Sequence, residues 1–76
     1  MKINAKNYKA NETFKIIRQG LDLTQEQLAK EINIGKSSIE KYEYGIVNYT
    51  FETLLKICKK YDLDIIIVDK KHKNTK

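Results

Sequence analysis

The sequence predicts an all-α fold, a bundle of four to five helices followed by a short C-terminal β-strand. Apolar residues recur at the three- and four-residue spacing of a helix in four successive segments. With no proline and only three glycines, the chain has too few turn residues for an all-β sandwich or barrel. Residues 65–68 are β-branched throughout and therefore favour a strand. A chain of 76 residues forms a single small domain.

The first and last helices are predicted from their caps and their apolar faces. The first would begin at Asn11 or Thr13 and end at Gly20. Its buried face would consist of Phe14, Ile17 and Leu21. The fourth would begin at Thr50 and stop at Asp62. Its buried stripe would consist of Phe51, Leu54, Leu55, Cys58 and Tyr61.

The second and third helices are predicted to form a helix-turn-helix unit, in which two short helices are joined by a turn of three or four residues. Thr24 and Gln27 have the spacing of a capping box at the start of the second helix. Asn33 tolerates the left-handed conformation that such a turn requires. The third helix would span residues 36–44 and end at Gly45. The small and apolar residues expected at the helix crossing and around the turn are Leu28, Ala29, Ile32, Ile34, Ile39 and Tyr42.

Residues 12–61 resemble the Cro/C1-type helix-turn-helix domain of lambdoid phage repressors and many bacterial regulators. The stretches that carry the resemblance are LTQEQLA at 23–29, IGKSSI at 34–39, YEYG at 42–45 and TLLKI at 53–57. The chain departs from the family at Asn33, where glycine is usual, and at Tyr49, where proline is common. The resemblance implies a transcriptional regulator, a repressor, that binds a pseudo-palindromic operator in double-stranded DNA as a homodimer.

The same resemblance implies that the third helix lies in the major groove with its N-terminal residues against base edges. Lys36, Ser37 and Lys41 would face the groove, and Glu40 would be a fourth base contact. Gln25 would bind a phosphate and brace the third helix. Further phosphate contacts, which position the protein without specifying sequence, are expected from Ser38, Tyr44, Asn48 and Tyr49. The alternative for each of these side chains is an ordinary solvated surface position.

Arg18 is the only arginine among 15 basic residues, which suggests a position that needs a rigid guanidinium with several donors. Members of the family often pair an arginine late in the first helix with a glutamate late in the third. At the matching positions this chain has Arg18 and Glu43. The resemblance therefore implies a buried ion pair that ties the two helices together.

The predicted strand has no polar face, and its backbone needs a pairing partner. Its residues are Ile65, Ile66, Ile67 and Val68. The partner could be segment 2–4 of the same chain or the same strand of a second subunit across a two-fold axis. We favour the second arrangement, because this type of domain usually binds an operator as a dimer, with half-sites about 34–36 Å apart.

Charge and pattern divide the chain into four regions. Residues 1–10, a basic N-terminal arm or helix extension, contain three lysines and no acidic residue. Residues 11–62 would form the helix-turn-helix domain and residues 63–69 the dimerisation strand. Residues 70–76, predicted to be a disordered basic tail, contain four lysines and no acidic residue. Basic ends suit a polyanionic partner such as nucleic acid, and they equally suit solvated termini.

The order of helices and terminal strand is similar to one subgroup, the antitoxin repressors that partner persistence-type kinase toxins and dimerise through a C-terminal strand. The shared pieces are IRQ at 17–19, TQ at 24–25, LAK at 28–30, Asn48, Thr50 and Asp69. A toxin is therefore a possible protein partner. Two alternatives stay open: a simple phage or mobile-element repressor, and a helical interaction module that does not bind DNA.

The residues needed for an enzyme, a metal site or a membrane span are missing from the pattern. Cys58 has no histidine placed to activate it, and His72, the only histidine, lies in the lysine-rich tail. We therefore expect no enzymatic activity, metal, cofactor or small-molecule ligand. The longest apolar run is residues 65–68, whereas a membrane helix needs about 20 residues. With no stretch like a signal peptide, the expected location is the cytoplasm, in association with the nucleoid.

Overall fold

The computed structural model of this protein describes residues 1–72 and consists of four α-helices preceded by a short 3₁₀ turn. The 3₁₀ turn spans Ala5–Asn7, and the α-helices are α1 (Ala10–Gly20), α2 (Gln25–Glu31), α3 (Lys36–Tyr44) and α4 (Phe51–Tyr61). The predicted all-α fold with four helices and a helix-turn-helix is confirmed, and α3 has the predicted bounds.

Every α-helix contributes one fully buried side chain to a single core. These are Phe14 of α1, Leu28 of α2, Ile39 of α3 and Ile57 of α4. Ile17, Ala29 and Ile32 complete the buried cluster. Because α3 packs against both α1 and α2, its orientation is set by two other helices.

Each of the four α-helices is followed, within two residues, by a residue in the left-handed conformation. The residues are Asp22, Asn33, Gly45 and Asp62, with φ values of 58°, 58°, 76° and 54°. The next amide then bonds back to the helix: the N–H of Ile34 donates to the carbonyl of Ala29 at 2.9 Å, in the manner of a Schellman motif. The turn conformation predicted for Asn33 is confirmed, and it keeps the connection between α2 and α3 short.

Two predicted caps start α2 and α4. The Thr24 hydroxyl accepts the Gln27 N–H at 3.1 Å, and the Thr24 N–H donates to the Gln27 side-chain oxygen at 2.8 Å. This reciprocal pair is the predicted capping box. The hydroxyl of Thr50 likewise accepts the N–H of Thr53 at 3.1 Å, which confirms Thr50 as the N-cap of α4.

The start of α1 differs from the prediction. Neither Asn11 nor Thr13 is its N-cap; that position belongs to Lys9. The backbone N–H of Lys9 donates to the Glu12 carboxylate at 2.8 Å, so the acidic residue in the first turn satisfies the amide of the N-cap residue. Asn11 lies inside the helix, where its side chain is available to another element.

Gly20 is the last residue of α1, as predicted, but it is not the residue that takes the left-handed conformation. The left-handed residue that follows the helix is Asp22. Gly20 lies instead beneath Met1, and a Cβ at Gly20 would come within 2.8 Å of the Met1 Cε. Ile3 also packs against the core. The N-terminal segment therefore folds back along α1, and the lack of a side chain at Gly20 permits this close approach.

The buried stripe of α4 is only partly the predicted one. Phe51 is 61% exposed, whereas Ile57, which the predicted stripe omits, is 1% exposed. Cys58 is buried, and Leu54 and Tyr61 pack against the core. Phe51 lies in the first turn of α4, beyond the edge of the small core, so the stripe starts one turn later than its spacing suggests.

The chain leaves α4 as an extended segment. Residues 63–69 have neither helix nor strand structure, and no strand pairing occurs within residues 1–72. The intramolecular pairing with segment 2–4 is therefore not formed, whereas pairing with a second subunit stays a prediction. Of the predicted basic tail, residues 73–76 lie outside the described part of the chain.

Candidate nucleic-acid interface

One face of α3 is polar and open to solvent. Positions 36, 37, 40, 41 and 44 share one side of a helix with 3.6 residues per turn. Of these residues, Lys36, Ser37, Lys41 and Tyr44 are exposed and Glu40 is half-buried. The other side of α3 carries Ile39, which is fully buried in the core. The structure thus brings five of the six predicted contact residues of α3, all but Ser38, to the face that lies opposite the core.

The side chains of this face match the groups that a DNA major groove presents. Lys36 and Lys41 can donate to guanine O6 and N7, and Glu40 can accept from cytosine N4. Two lysines against one glutamate give the face a positive charge, which suits a polyanionic surface. A helix that is exposed along one side and packed along the other can enter the groove without rearrangement.

Glu43 fixes the C-terminal end of α3 and is the one charged residue that is buried within residues 1–72. The Nε of Arg18 donates to Glu43 Oε2 at 2.7 Å, and its Nη2 donates to Oε1 at 2.9 Å. A third bond joins Arg18 Nη1 to the carbonyl of Leu23 at 2.8 Å. The side chains of Arg18 and Glu43 are 12% and 4% exposed. The planar guanidinium spreads its donors over three nitrogens in a fixed geometry, which suits this bidentate pair and the third bond together.

The ion pair also affects the protonation of Arg18. The hydrogen bond to Glu43 raises the pKa of the guanidinium, burial opposes that rise, and Coulombic attraction to the same carboxylate adds to it. The raised pKa keeps the guanidinium of Arg18 positively charged in its contact between α1 and α3.

Gln25 connects the start of α2 to the same carboxylate. Its Nε2 donates to Oε1 of Glu43 at 3.2 Å. An amide nitrogen carries two hydrogens, and Gln25 is only partly buried, so one donor stays available to an outside acceptor. The structure thus contains the contact by which Gln25 braces α3. Its contact with a DNA phosphate stays a prediction.

Tyr49 is packed into the protein. Its ring centre lies 4.8 Å from that of Phe14 and 5.9 Å from that of Tyr42. Its hydroxyl donates to the carbonyl of Ala10 at 2.7 Å, and burial raises the pKa of the phenol. Because a phenol has one hydrogen to donate, the same group cannot simultaneously donate to a phosphate. This geometry weighs against the predicted phosphate contact and favours a packing role.

The other predicted phosphate contacts lie on α3 and in the loop after it. Tyr44 is 76% exposed, Asn48 is exposed and Ser38 is half-buried. Tyr44 and Asn48 border the loop between α3 and α4, where polar groups would meet a DNA backbone beside the groove. Their roles stay predictions.

Asn11 is a residue of this region that the sequence analysis missed. Its Nδ2 donates to the main-chain carbonyl of Glu43 at 3.1 Å. The local pattern makes Asn11 a helix cap, and nothing in that pattern indicates a partner 32 positions away. Only the packing of α1 against α3 brings the two residues together.

The described part of the chain contains little else that suggests a site. No group of three histidine, cysteine, aspartate or glutamate side chains in residues 1–72 is placed to hold a metal ion. None of the helices there has the length and hydropathy to cross a membrane. Cys58 is buried, and burial raises the pKa of its thiol, with a smaller contribution from the charge of Asp64.

Comparison with known proteins places the chain in a family. Residues 14–68 match the model of the helix-turn-helix family. The chain belongs to the helix-turn-helix family. The resemblance predicted from the sequence is thereby confirmed. No curated protein sequence matches the chain.

Several solved structures are similar to this chain. A chain in a structure described as a HipA-HipB-O2-O3 complex is 31% identical, with a TM-score of 0.62, over 93% of this chain and 99% of that one. A HipB-O1-O2 complex gives 30% identity and a TM-score of 0.61 over 91% of this chain and 99% of that one. A structure described only as "MDT Protein" is 31% identical, with a TM-score of 0.62, over 93% of this chain and 99% of that one. The similarity therefore extends over nearly the full length of both chains.

Proposed function

We propose that this protein is a sequence-specific repressor of transcription that binds a pseudo-palindromic operator in double-stranded DNA as a homodimer. The observation that carries this proposal is the exposed polar face of α3, formed by Lys36, Ser37, Glu40, Lys41 and Tyr44. Core packing and the Arg18–Glu43 pair hold that helix in place before any DNA is bound. A prepositioned helix avoids the entropic cost of ordering on binding.

The comparisons support this proposal from a second direction. HipB is described in complexes with components named O1, O2 and O3, which we interpret as operator segments. Since the helix-turn-helix chain of this protein aligns with nearly all of its counterpart in those structures, we infer that it binds DNA in the same way. A nucleoid-associated location in the cytoplasm follows from that function.

The extended segment after α4 supports a dimer. Ile66 and Ile67 are 76% and 92% exposed, and residues 65 and 68 are exposed as well. An exposed apolar run with unpaired backbone groups is a ready template for pairing with a second strand. We infer that the segment pairs with its own copy across a two-fold axis, which would relate two α3 helices to two half-sites.

A second function, that of an antitoxin, is favoured by one specific observation. HipB is described in a complex with HipA, a second protein. We propose that this protein too has a protein partner, a toxin, which would bind while α3 occupies DNA. Its role in such a pair is binding and regulation, and no enzymatic step is assigned to it.

The proposal is tested by selecting bound duplexes from a random double-stranded library at physiological salt and by measuring the mass of the protein in solution. We expect enrichment of a pseudo-palindrome whose half-sites lie about one helical turn apart, together with a dimeric mass. A Lys36→Ala/Lys41→Ala variant is the matched control, and it should enrich no such sequence. Failure of the unaltered protein to enrich a sequence, with a monomeric mass, would instead indicate a helical module that does not recognise DNA.

A further inference from the structure

The first turn of α1 contacts both ends of the loop that follows α3. The side-chain amide of Asn11 donates to the main-chain carbonyl of Glu43 at 3.1 Å. The carbonyl of Ala10 accepts the hydroxyl hydrogen of Tyr49 at 2.7 Å. Glu43 lies in the last turn of α3, just before loop 45–48, and Tyr49 follows that loop. Two adjacent residues of α1 therefore anchor this loop at its beginning and at its end.

Asn11 supplies a donor that the end of α3 lacks. The last four carbonyls of an α-helix have no partner within the helix. Backbone amides beyond α3 return to the carbonyls of Lys41, at 3.0 Å, and Tyr42, at 3.3 Å. The carbonyl of Glu43 lies next in line, and the amide of Asn11 provides its hydrogen bond. A side chain of α1 thus completes the C-terminal cap of α3.

The surroundings of Asn11 indicate a packed contact. Asn11 is partly buried, and a Cβ built on Gly45 would lie 3.5 Å from its Cγ, which is ordinary van der Waals distance. Gly45 has a φ of 76° and turns the chain out of α3. Asn11 therefore lies beside the residue at which the chain turns out of α3 and is hydrogen-bonded to the carbonyl of Glu43.

We propose that Asn11 is a positioning residue of the DNA-binding surface. By binding the Glu43 carbonyl it fixes the end of α3, which carries Tyr44, and loop 45–48, which carries Asn48; these two residues would contact phosphates. This inference rests on the proposed function. Phosphate contacts set the register of a protein on its duplex. If the loop is less well fixed, sequence-specific binding to the selected duplex should therefore weaken more than non-specific binding to other DNA.

Two variants separate the hydrogen bond from the volume of the side chain. Asn11→Asp keeps the shape but places an acceptor against a carbonyl oxygen, and Asn11→Ala removes the contact. Asn7→Ala is the matched control, because Asn7 is an exposed asparagine in the 3₁₀ turn. Ile57→Val controls for lost stability, since Ile57 is a core residue of α4. Dissociation constants are measured by fluorescence anisotropy on the duplex that the unaltered protein selects and on a random-sequence duplex of equal length.

We expect Asn11→Ala to weaken binding to the selected duplex about fivefold, the size of one hydrogen bond, and binding to random DNA less than about twofold. Asn11→Asp should lose at least as much affinity for the selected duplex. The dissociation constants of both control variants should stay within about twofold of that of the unaltered protein. Ethylation interference at the phosphates beside the loop should weaken in Asn11→Ala, whereas methylation interference at guanine N7 of the bases facing α3 should persist.

Three results would overturn the inference. The first is unchanged affinity for the selected duplex in both Asn11 variants. The second is an equal loss of affinity for the selected and the random duplex, and the third is a loss of affinity in Ile57→Val as large as that in Asn11→Ala. The proposed function has a separate test in the same experiment. If the unaltered protein does not distinguish its selected duplex from random DNA, that function fails, and the role of Asn11 on the DNA surface fails with it.

Discussion

Arg18 and Glu43 are joined across the helix bundle by two nearly parallel hydrogen bonds, of 2.7 and 2.9 Å, with both side chains almost removed from solvent. Gln25 donates to the same carboxylate, so side chains of α1, α2 and α3 meet at Glu43. Since α3 also carries the proposed base contacts, this single residue links the stability of the fold to the orientation of the DNA-binding face.

Replacing Arg18 by methionine should destabilise the protein strongly. Glu43 would be left buried without its partner, and the loss of one member of a buried pair costs about 3–5 kcal/mol. For a domain of this size, the melting temperature should fall by at least about 12 °C. Thermal unfolding followed by circular dichroism measures this change.

The double variant Arg18→Met/Glu43→Leu is the control, because it removes both charges. It should recover most of the lost stability, since well-packed apolar side chains often replace a buried ion pair at little cost. An unchanged melting temperature in Arg18→Met would show that the pair contributes nothing to the fold.

Replacing Lys36 by alanine should reduce sequence discrimination. Each well-formed base contact contributes about 1–3 kcal/mol of discrimination, so affinity for the selected operator should fall at least about fivefold and affinity for random DNA far less. Lys59→Ala, an exposed lysine of α4, is the matched control for the lost charge. Competition binding measures the ratio of the affinities for the selected operator and for random DNA. Equal losses of affinity on the two duplexes would show that Lys36 does not contact a base.

Tyr49→Phe distinguishes a packing role from a phosphate contact. The variant keeps the ring between Phe14 and Tyr42 and removes only the bond to the Ala10 carbonyl, so we expect stability to fall by about 1 kcal/mol. The affinity for DNA should stay the same. A loss of affinity on both the selected and the random duplex, with unchanged stability, would instead assign the hydroxyl to a phosphate.

Substituting Ile66 by lysine should convert the dimer to a monomer. The side chain is 76% exposed in the single chain, so its replacement leaves the fold intact, yet it would place like charges together at the paired strands. Ile46→Lys is a control with nearly equal exposure, 71%, in a different segment. Light scattering after size exclusion measures the mass, and a dimeric mass for Ile66→Lys would place the interface elsewhere.

Cys58 should react slowly with a disulfide reagent while the protein is folded. The thiol is buried, and its pKa is raised above the ordinary value by burial and by Asp64, so less thiolate is present than in the unfolded chain at the same pH. At pH 8 we expect at least about a tenfold lower rate than in denaturant, since the thiolate is the reactive form. The stability contributed by the neutral thiol is present below its unfolded pKa and is lost as pH rises through the folded one. Equal rates in the two states would contradict the burial of Cys58.

Local chemistry explains which features could be predicted from the sequence. The Thr24–Gln27 capping box, the positive φ of Asn33 and the end of α3 at Gly45 depend on neighbouring residues only. The Arg18–Glu43 contact is different, because its two members are 25 positions apart. It was accessible only through the family resemblance.

The features that were predicted wrongly depend on tertiary packing. Asn11 has the chemistry of an N-cap, but its partner is on α3. Phe51 continues the apolar spacing of α4, yet the core ends before its turn, while Ile57 lies at the centre of the core. Gly20 ends α1 as predicted, but its close approach to Met1 is a tertiary contact that the local pattern does not indicate. Such contacts join distant positions, and helical periodicity in a single sequence contains no information about them.

The most direct test of the central claim is methylation protection of guanine N7 on the duplex that the protein selects. N7 lies in the major groove, where α3 is proposed to bind. The account predicts two patches of protection, one in each half-site, with centres about 10–10.5 base pairs apart on one face of the duplex. Binding that leaves every guanine N7 in both half-sites unprotected would contradict it, because α3 would then not lie in the major groove.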